Sequence, residues 1–478
     1  MSSTAVEQNS FPAVARPVLR DLYRILLLQK NGSELLVSGE RPPFTLPCVE
    51  IPRWERVAEN AIAAVRKRYG ISAMCLFTPE LSGTTTDGDL PLYQVMETRE
   101  AKVAAPEGTR WLRLNSFLNQ SFADGQDSVA TTHMLRQIAE FQNGRTIGPF
   151  GRPGWIEELF SWVQHEIGPY ELHLSGHFQQ LNASPTFALL RLETDGQAVW
   201  FKAVGEPNRR EFPISVTLSR LFPGFVPTVI ATHPAWNGWL TTECPGSTLD
   251  GASDACAWQQ AGRAMAELQI ASVEKTDQLL EAGCKDLQVT SLLLLVDPFL
   301  EVMSRLMQQQ QRTPPPVLGR DELQMLGRQI KEALSAWAQL NIPDTLGHLD
   351  FNPGNILCST DQCFFLDWAE AYVGPPFLTL QYLREHQVRL RKEDTNLGAD
   401  VATPYETVWR RIISPEIASS ALNLAPSLAV FAYAAGTAAW QNPTMLRNPK
   451  IVAYLRALTR RMQVEIQRLH DGRRLCSN

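Results

Sequence analysis

The chain has 478 residues, 44% of them apolar and 20% charged, which is too long for one compact core and too apolar for a disordered or fibrous chain. Fifty acidic against 44 basic side chains leave a formal charge of −6, with residues 1–145 balanced at 16 each and the remainder carrying 28 basic and 34 acidic. Neither part has the basic excess that a phosphate-backbone binder needs, so nucleic acid is excluded as the expected partner.

The opening stretch MSSTAVEQNSF lacks the cationic segment and apolar core of a secretion signal, and the most continuous apolar run, Ser291–Val296, is far short of a membrane span. The eight cysteines contain no CxxC pair. These features predict a cytoplasmic protein with reduced thiols and no membrane partner.

In chain order, residues 22–37 (LYRILLLQKNGSELLV) predict a β-hairpin turning at Lys30-Asn31-Gly32. An apolar stripe of Val57, Ala61, Ala64 and Val65 predicts a helix over Glu55–Tyr69, with Gly70 as its left-handed stop. Short strands are expected at Ala73–Phe77, Leu92–Met96 and Thr109–Leu114, then a helix at Thr131–Phe141. The GPFGRPG run at 148–154 reads as punctuation before a new domain. A helix at Trp155–Ile167 leads into strands near Glu171–Leu181, Phe187–Leu192 and Ala198–Val204. From about residue 255 the pattern is mainly helical. Its exceptions are a polar, proline-rich loop at 308–316 and a strand–turn–strand at Asn355–Asp367.

One segment carries chemistry. Gly347-His348-Leu349-Asp350-Phe351-Asn352-Pro353-Gly354-Asn355 reads H-x-D-x4-N, followed by an apolar strand, a short polar turn and a second apolar strand ending in Leu366-Asp367-Trp368. An isolated H-x-D-x4-N is more often a capped turn, and it is the hairpin ending in aspartate that changes the reading. Phosphoryl transfer needs Mg²⁺ to neutralise the phosphates, and Mg²⁺ takes oxygen ligands. A hairpin with Asn355 at one end and Asp367 at the other brings two such oxygens to one point, leaving Asp350 to orient an acceptor hydroxyl and take its proton. His348 is read as structural.

These residues resemble the aminoglycoside phosphotransferase and choline kinase-like family, in which the catalytic loop typically reads HGDxxxxN and the metal-binding strand ends in IDW or IDF. The resemblance implies a protein-kinase-like fold, Asp350 as catalytic base, and Asn355 and Asp367 as magnesium ligands. Leu349 stands where glycine is common. Upstream, Ala198-Val-Trp-Phe-Lys202 is similar to the strand bearing the nucleotide-binding lysine, and Glu211, on a helix expected at Arg210–Leu221, is its expected partner. Phe225–Ile230 resembles the strand that follows this helix. Trp239–Glu243 and the following Cys244-Pro245-Gly246 resemble the hinge, where adenine is expected to meet the backbone around Glu243 and Cys244. Between the first two strands stands Leu181-Asn182-Ala183-Ser184-Pro185-Thr186, without glycine, with Ser184 the expected phosphate contact. Gly374-Pro-Pro-Phe-Leu-Thr-Leu lacks the aspartate of a common GxPxxDLA pattern, a change expected to affect helix capping.

Residues 20–116 resemble a Nudix domain. At the positions of its metal-binding helix the chain reads Ala63-Ala-Val-Arg-Lys-Arg-Tyr-Gly-Ile71, with cations in place of the paired glutamates, which implies lost hydrolysis.

The expectation is therefore an α+β protein: a bilobal protein-kinase-like fold, with a small β-rich lobe and a helical lobe, preceded by an α/β Nudix-like domain. The domains are expected at 15–116, 155–246 and 247–478, with a helix-bearing linker at 117–154. The expected function is ATP- and Mg²⁺-dependent transfer of the γ-phosphoryl group to a hydroxyl of a small-molecule acceptor. The alternative is a nucleotide-binding regulatory or sensing module of weak activity, which the glycine-free loop favours. Charge does not choose the acceptor, because residues 246–478 carry 25 acidic and 22 basic side chains. Oligomeric state is not legible.

Overall fold

The computed structural model describes residues 19–30, 32–53, 55–81, 91–114, 122–144, 148–251, 255–391 and 401–476. The turn residue Asn31 and the N-terminal stretch read above lie outside them. The chain divides into two compact units, Met1–Gly205 with His233–Leu240, and Glu206–Thr232 with Thr241–Asn478.

The first unit opens with β1 (Arg20–Leu28), β2 (Glu34–Ser38), β3 (Cys48–Pro52), α1 (Val57–Tyr69), β4 (Ala73–Phe77), β5 (Leu92–Thr98) and β6 (Thr109–Arg113). The strands form one sheet in the order β4-β5-β1-β2-β6, with β3 also paired to β1. β1 runs parallel to β5 and antiparallel to β2 and β3. Covered on both faces, its Ile25-Leu-Leu-Leu28 run is fully buried, as a central strand between two layers must be. α1 lays Ala58, Ala61 and Val65 on one face of the sheet and ends at Gly70, which takes φ 68° as the sequence predicts.

α2 (Gly125–Gln142) begins six residues earlier than its apolar pattern suggests, because Asp124 caps it by accepting the Gln126 N–H. Arg24 of β1 reaches Asp124 and Asp127 at 2.6 Å each, and the Tyr93 hydroxyl also donates to Asp127. This network fixes the start of the helix to the sheet.

α3 (Trp155–Ile167) and the strands β7 (Leu174–Ser184), β8 (Phe187–Thr194) and β9 (Val199–Val204) complete the unit's first segment. β7, β8 and β9 form an antiparallel meander. Trp162, Phe201 and Trp236 meet edge to face with centroids 5.9–6.5 Å apart, holding α3 on the sheet.

A polar join links β7 to β4 within the first unit: the buried Gln180 side chain of β7 accepts the Cys75 N–H and donates to the Cys75 carbonyl, both at 2.9 Å. Arg99 also lies over the Phe178 ring at 4.4 Å. Replacing Gln180 by leucine orphans two buried backbone groups at about 1–3 kcal/mol each, so the unfolding free energy read from a urea titration is expected to fall by at least about 1 kcal/mol, with a lower midpoint.

A second buried group sets a pH dependence. Glu97 accepts the Gly154 N–H at 2.9 Å, at the start of α3, and burial pushes its carboxyl up to about 8. Because this folded value lies above the unfolded one of about 4.3, the stability belongs to the neutral acid and is lost as pH rises toward the folded pKa. Glu97→Gln keeps an acceptor for Gly154 and removes the titration. The thermal midpoint of the variant relative to wild type is expected to climb between about pH 5 and pH 8 and then level off. A pH-independent difference between the two proteins would contradict this.

The second unit begins with α4 (Glu211–Leu221), whose Ile214 and Leu218 enter its core. β10 (Val229–His233) and β11 (Gly238–Thr242) follow; Gly238–Leu240 of β11 count with the first unit. The strand expected at Phe225–Ile230 starts later, at Val229, because the Phe225 N–H first bonds the Phe222 carbonyl in a turn. Then come β12 (Ser247–Thr248), α5 (Ala255–Ser272), α6 (Thr276–Glu281), β13 (Lys285–Asp286), α7 (Val289–Gln308), α8 (Arg320–Gln339), β14 (Thr345–His348), β15 (Ile356–Cys358), β16 (Cys363–Phe365), β17 (Ala371–Gly374), α9 (Phe377–Arg391), α10 (Ala402–Trp409), α11 (Pro415–Gly436) and α12 (Pro449–Cys476).

The proline-rich loop between α7 and α8 is pinned, with Arg460 of α12 donating to the Pro316 carbonyl. α11 is long and apolar enough to cross a membrane by length and composition, a feature the sequence reading passes over; 61% of that stretch is buried inside the protein, where its alanines and leucines join the core. Two small sheets, β12-β15-β16 and β13-β17-β14, stand against these helices and carry the loops described next.

Candidate active site

The segment singled out in the sequence folds as a loop and hairpin in the second unit. β14 delivers His348, a short 3₁₀ turn spans Pro353–Asn355, and β15 and β16 form the expected strand–turn–strand. Asp350, Asn355 and Asp367 are brought together by bonds within this unit.

His348 organises the loop. Its ring is fully buried, its Nδ1 accepts the Asp350 N–H at 3.1 Å, and its Nε2 lies 3.1 Å from the Leu366 carbonyl. An acceptor role for Nδ1 assigns the proton to Nε2, so the ring is the neutral tautomer and donates to Leu366. Burial drives its pKa below the ordinary value in the same direction. One imidazole thus ties the backbone of Asp350 to the residue before Asp367, the structural role expected of it.

Asp350 is oriented by its neighbours. Asn352 Nδ2 donates to its Oδ1 at 3.2 Å, and Asn355 Nδ2 lies 3.5 Å from Oδ2 and 3.1 Å from the Asp350 carbonyl. With the Asn355 amide nitrogen committed to Asp350, its oxygen is the atom left for a cation. The Leu366 N–H donates to the Asn355 carbonyl at 2.9 Å, so the residue before Asp367 is hydrogen-bonded to Asn355. Asp367 itself takes φ 60° and ψ 62°, a left-handed conformation rare outside glycine, asparagine and aspartate. The backbone is therefore strained where the carboxylate is presented. An amide oxygen and a carboxylate form a hard donor set that suits Mg²⁺, which takes few protein ligands and fills the rest with water and phosphate. Among the described residues no group of three or more His, Cys, Asp and Glu gathers that would suit a different metal.

The two departures from the family pattern find reasons here. Leu349, in place of glycine, is 2% exposed, with its Cδ1 beside Gly436 of α11, so it fills core rather than obstructing the loop. Thr379, where aspartate is common, does not act as a helix cap. Its hydroxyl accepts the His348 N–H at 3.0 Å and bonds the Tyr372 hydroxyl at 3.0 Å, holding the loop from behind. Sequence reasoning missed this role, since only the fold brings residue 379 to residue 348.

Lys285 and Glu370 form a second unforeseen pair on β13 and the turn before β17, and the Glu370 carbonyl accepts the Leu349 N–H at 3.0 Å. Glu211 is buried at the start of α4, while Glu243 and Cys244 are half-buried in the segment before β12, where burial pushes the Cys244 thiol up to about 12.

Lys202 and Ser184 belong to the first unit. Lys202 lies on β9 opposite Leu189, half-buried, with Nζ 5.8 Å from the Trp239 ring centre and 5.9 Å from that of Phe187. Ser184 closes the β7–β8 hairpin opposite Phe187, and its hydroxyl accepts the Thr186 N–H at 3.4 Å. This turn lacks glycine, yet Gly205 at the end of β9 passes so close that a Cβ there would lie 2.6 Å from the Thr186 Cβ. The close backbone approach is thus supplied by a glycine from the next strand.

Comparison with the curated proteins gives no match. Solved structures similar to this chain include a macrolide 2′-phosphotransferase from Brachybacterium faecium (16% identity, 63% of this chain and 98% of that one, TM-score 0.41). Also similar are an ethanolamine kinase from Plasmodium vivax (13%, 64% and 85%, 0.44) and a choline kinase from Cryptosporidium parvum (11%, 66% and 97%, 0.47). Residues 217–394, a span that includes Asp350, Asn355 and Asp367, match the phosphotransferase enzyme family.

Proposed function

We propose that this protein is an ATP- and Mg²⁺-dependent phosphotransferase that moves the γ-phosphoryl group to a hydroxyl of a small molecule. The observation that carries the reading is the loop in which His348, Asn352 and Asn355 all bond Asp350, while the Leu366 N–H bonds the Asn355 carbonyl one residue before Asp367. Bound nucleotide and metal supply the transferable group and neutralise its charge. Asp350 accepts a hydrogen bond from the acceptor hydroxyl and takes its proton as the oxygen attacks phosphorus and ADP leaves. Asn355 and Asp367 hold the metal through their side-chain oxygens. Of the first unit's residues, Lys202 is the proposed contact for the α- and β-phosphates and Ser184 a further phosphate contact; of the second unit's, the backbone at Glu243 and Cys244 is proposed for adenine. The matched family and the similar structures support a small-molecule acceptor, with amino alcohols, sugars, nucleosides and aminoglycosides as the classes to screen.

The β7–β8 turn favours a second reading, a nucleotide-binding regulatory module with little turnover, because Ser184-Pro185-Thr186 offers the phosphates no glycine of its own. The first domain, proposed as Nudix-like, serves a structural, sensing or oligomerising role, since Arg66, Lys67 and Arg68 occupy the end of α1 where a hydrolase needs carboxylates. We place the protein in the cytoplasm. ADP release with Mg²⁺ and ATP, measured across the acceptor classes beside Asp350→Ala, tests the proposal. Acceptor-stimulated ADP that vanishes in the variant supports transfer. Nucleotide binding with no turnover above the variant overturns it in favour of the second reading.

A further inference from the structure

The hairpin that carries Asn355 and Asp367 also carries two cysteines directly opposite one another. Cys358 of β15 pairs with Cys363 of β16, and their Sγ atoms stand 3.0 Å apart. The hydrogen-bond ladder fixes which kind of pair this is. The Ser359 N–H donates to the Gln362 carbonyl and the Leu366 N–H to the Asn355 carbonyl, while the Phe365 N–H turns outward to the Phe225 carbonyl. Along this antiparallel ladder Cys358 and Cys363 therefore occupy a non-hydrogen-bonded position, where opposed Cα atoms come to about 4.5 Å. That spacing lies inside the range a disulfide spans without moving the backbone. Cys363 is buried and Cys358 half-buried, so Cys358 is the more accessible residue of the two. The thiols also polarise each other: the Cys363 hydrogen bond holds Cys358 below the ordinary thiol range, and the same bond raises Cys363. Among the described residues no further His, Cys, Asp or Glu joins the pair to make a metal site.

We propose that Cys358 and Cys363 form a reversible thiol–disulfide site that a low-molecular-weight disulfide such as glutathione disulfide oxidises. The Cys358 sulfur attacks the disulfide, forming a mixed disulfide and releasing one glutathione. Cys363 then gives up its proton and attacks the Cys358 sulfur, expelling the second glutathione. The two thiol hydrogens leave with the two glutathiones, so two electrons pass from the protein to the oxidant. On its other edge Cys358 pairs with Ser247 of β12, three residues after Cys244. The cross-link therefore couples the segment at Glu243–Cys244 to the strand that leads to Asp367. In the phosphotransferase reading, on which this consequence rests, oxidation changes the apparent affinity for MgATP.

The test is to equilibrate the full-length reduced protein in glutathione buffers of increasing oxidised fraction, alkylate the remaining thiols and map the peptides. The expected result is loss of two hydrogens from the Cys358–Cys363 peptide through one two-electron transition, reversed by dithiothreitol. Cys363→Ser is expected to stop at the mixed disulfide on Cys358, and Cys358→Ser to leave Cys363 reduced. Full alkylation of both thiols across the range, or a link from Cys358 to any other cysteine instead, would overturn the site whether or not the protein turns over ATP. For the consequence, KM for MgATP is expected to differ at least threefold between reduced and oxidised wild type and not in Cys358→Ser. Equal values in the two wild-type forms would overturn it.

Discussion

Asp350→Ala is expected to lower kcat by about 10²–10⁴-fold while leaving Mg²⁺-nucleotide binding within about twofold of wild type. The separation follows from how the loop is built. His348 Nδ1 holds the residue 350 backbone N–H, and the Asn352 N–H and Asn355 Nδ2 both donate to the residue 350 carbonyl. These bonds survive removal of the carboxylate, so Asn355 stays in place and the loop does not collapse. What disappears is the oxygen that receives the acceptor proton. A loss below about tenfold would mean that the hydroxyl is deprotonated elsewhere, and the role given to Asp350 would fall. A parallel loss of nucleotide binding would show that the carboxylate, rather than the backbone, supports the metal-binding residues.

The parts of the fold that were legible share a physical feature: the signal is local. β4 and α3 are found at their expected bounds because five consecutive buried residues and a 13-residue amphipathic repeat announce themselves without reference to the rest of the chain. The hairpin between Asn355 and Asp367 was legible because an asparagine, two apolar strands, a polar turn and an aspartate follow one another directly.

What was missed depends on residues far apart in sequence. β13 is only two residues long and exists because it pairs with β17, 87 residues later. Thr379 and His348 meet only when α9 passes behind β14, and the Gln180 join to Cys75 spans 105 residues. No periodicity encodes such meetings, since each side chain looks ordinary in its own window. The composition changes at 148–154, but the buried hydrogen bonds of Gln180 to Cys75 run across that point, and no local window shows them. α11 escaped notice because its apolar character is spread through alanines over 22 residues instead of concentrated in a short run.

Asp367 supplies the second large effect, and a series of substitutions separates its charge from its backbone. At φ 60° a residue with a Cβ pays about 1–2 kcal/mol, a penalty that asparagine and aspartate bear better than alanine and that glycine escapes. Asp367→Asn therefore keeps the turn and removes the anionic ligand. Its thermal midpoint is expected to stay near wild type, while Asp367→Ala falls and Asp367→Gly regains part of the difference. The functional order is different. Losing a metal-binding carboxylate removes several kcal/mol of charge stabilisation, so all three variants are expected to lose about 10³-fold or more in kcat/KM and the Mg²⁺-dependent part of their thermal stabilisation by ATP. Stability that follows the backbone while activity follows the carboxylate is the signature of a strained residue held for its charge. If Asp367→Asn keeps Mg²⁺-dependent nucleotide stabilisation at the wild-type level, the metal sits elsewhere and the assignment of Asn355 and Asp367 fails together. If all three variants melt alike, the left-handed backbone at this position is not a source of strain and the turn is set by its neighbours.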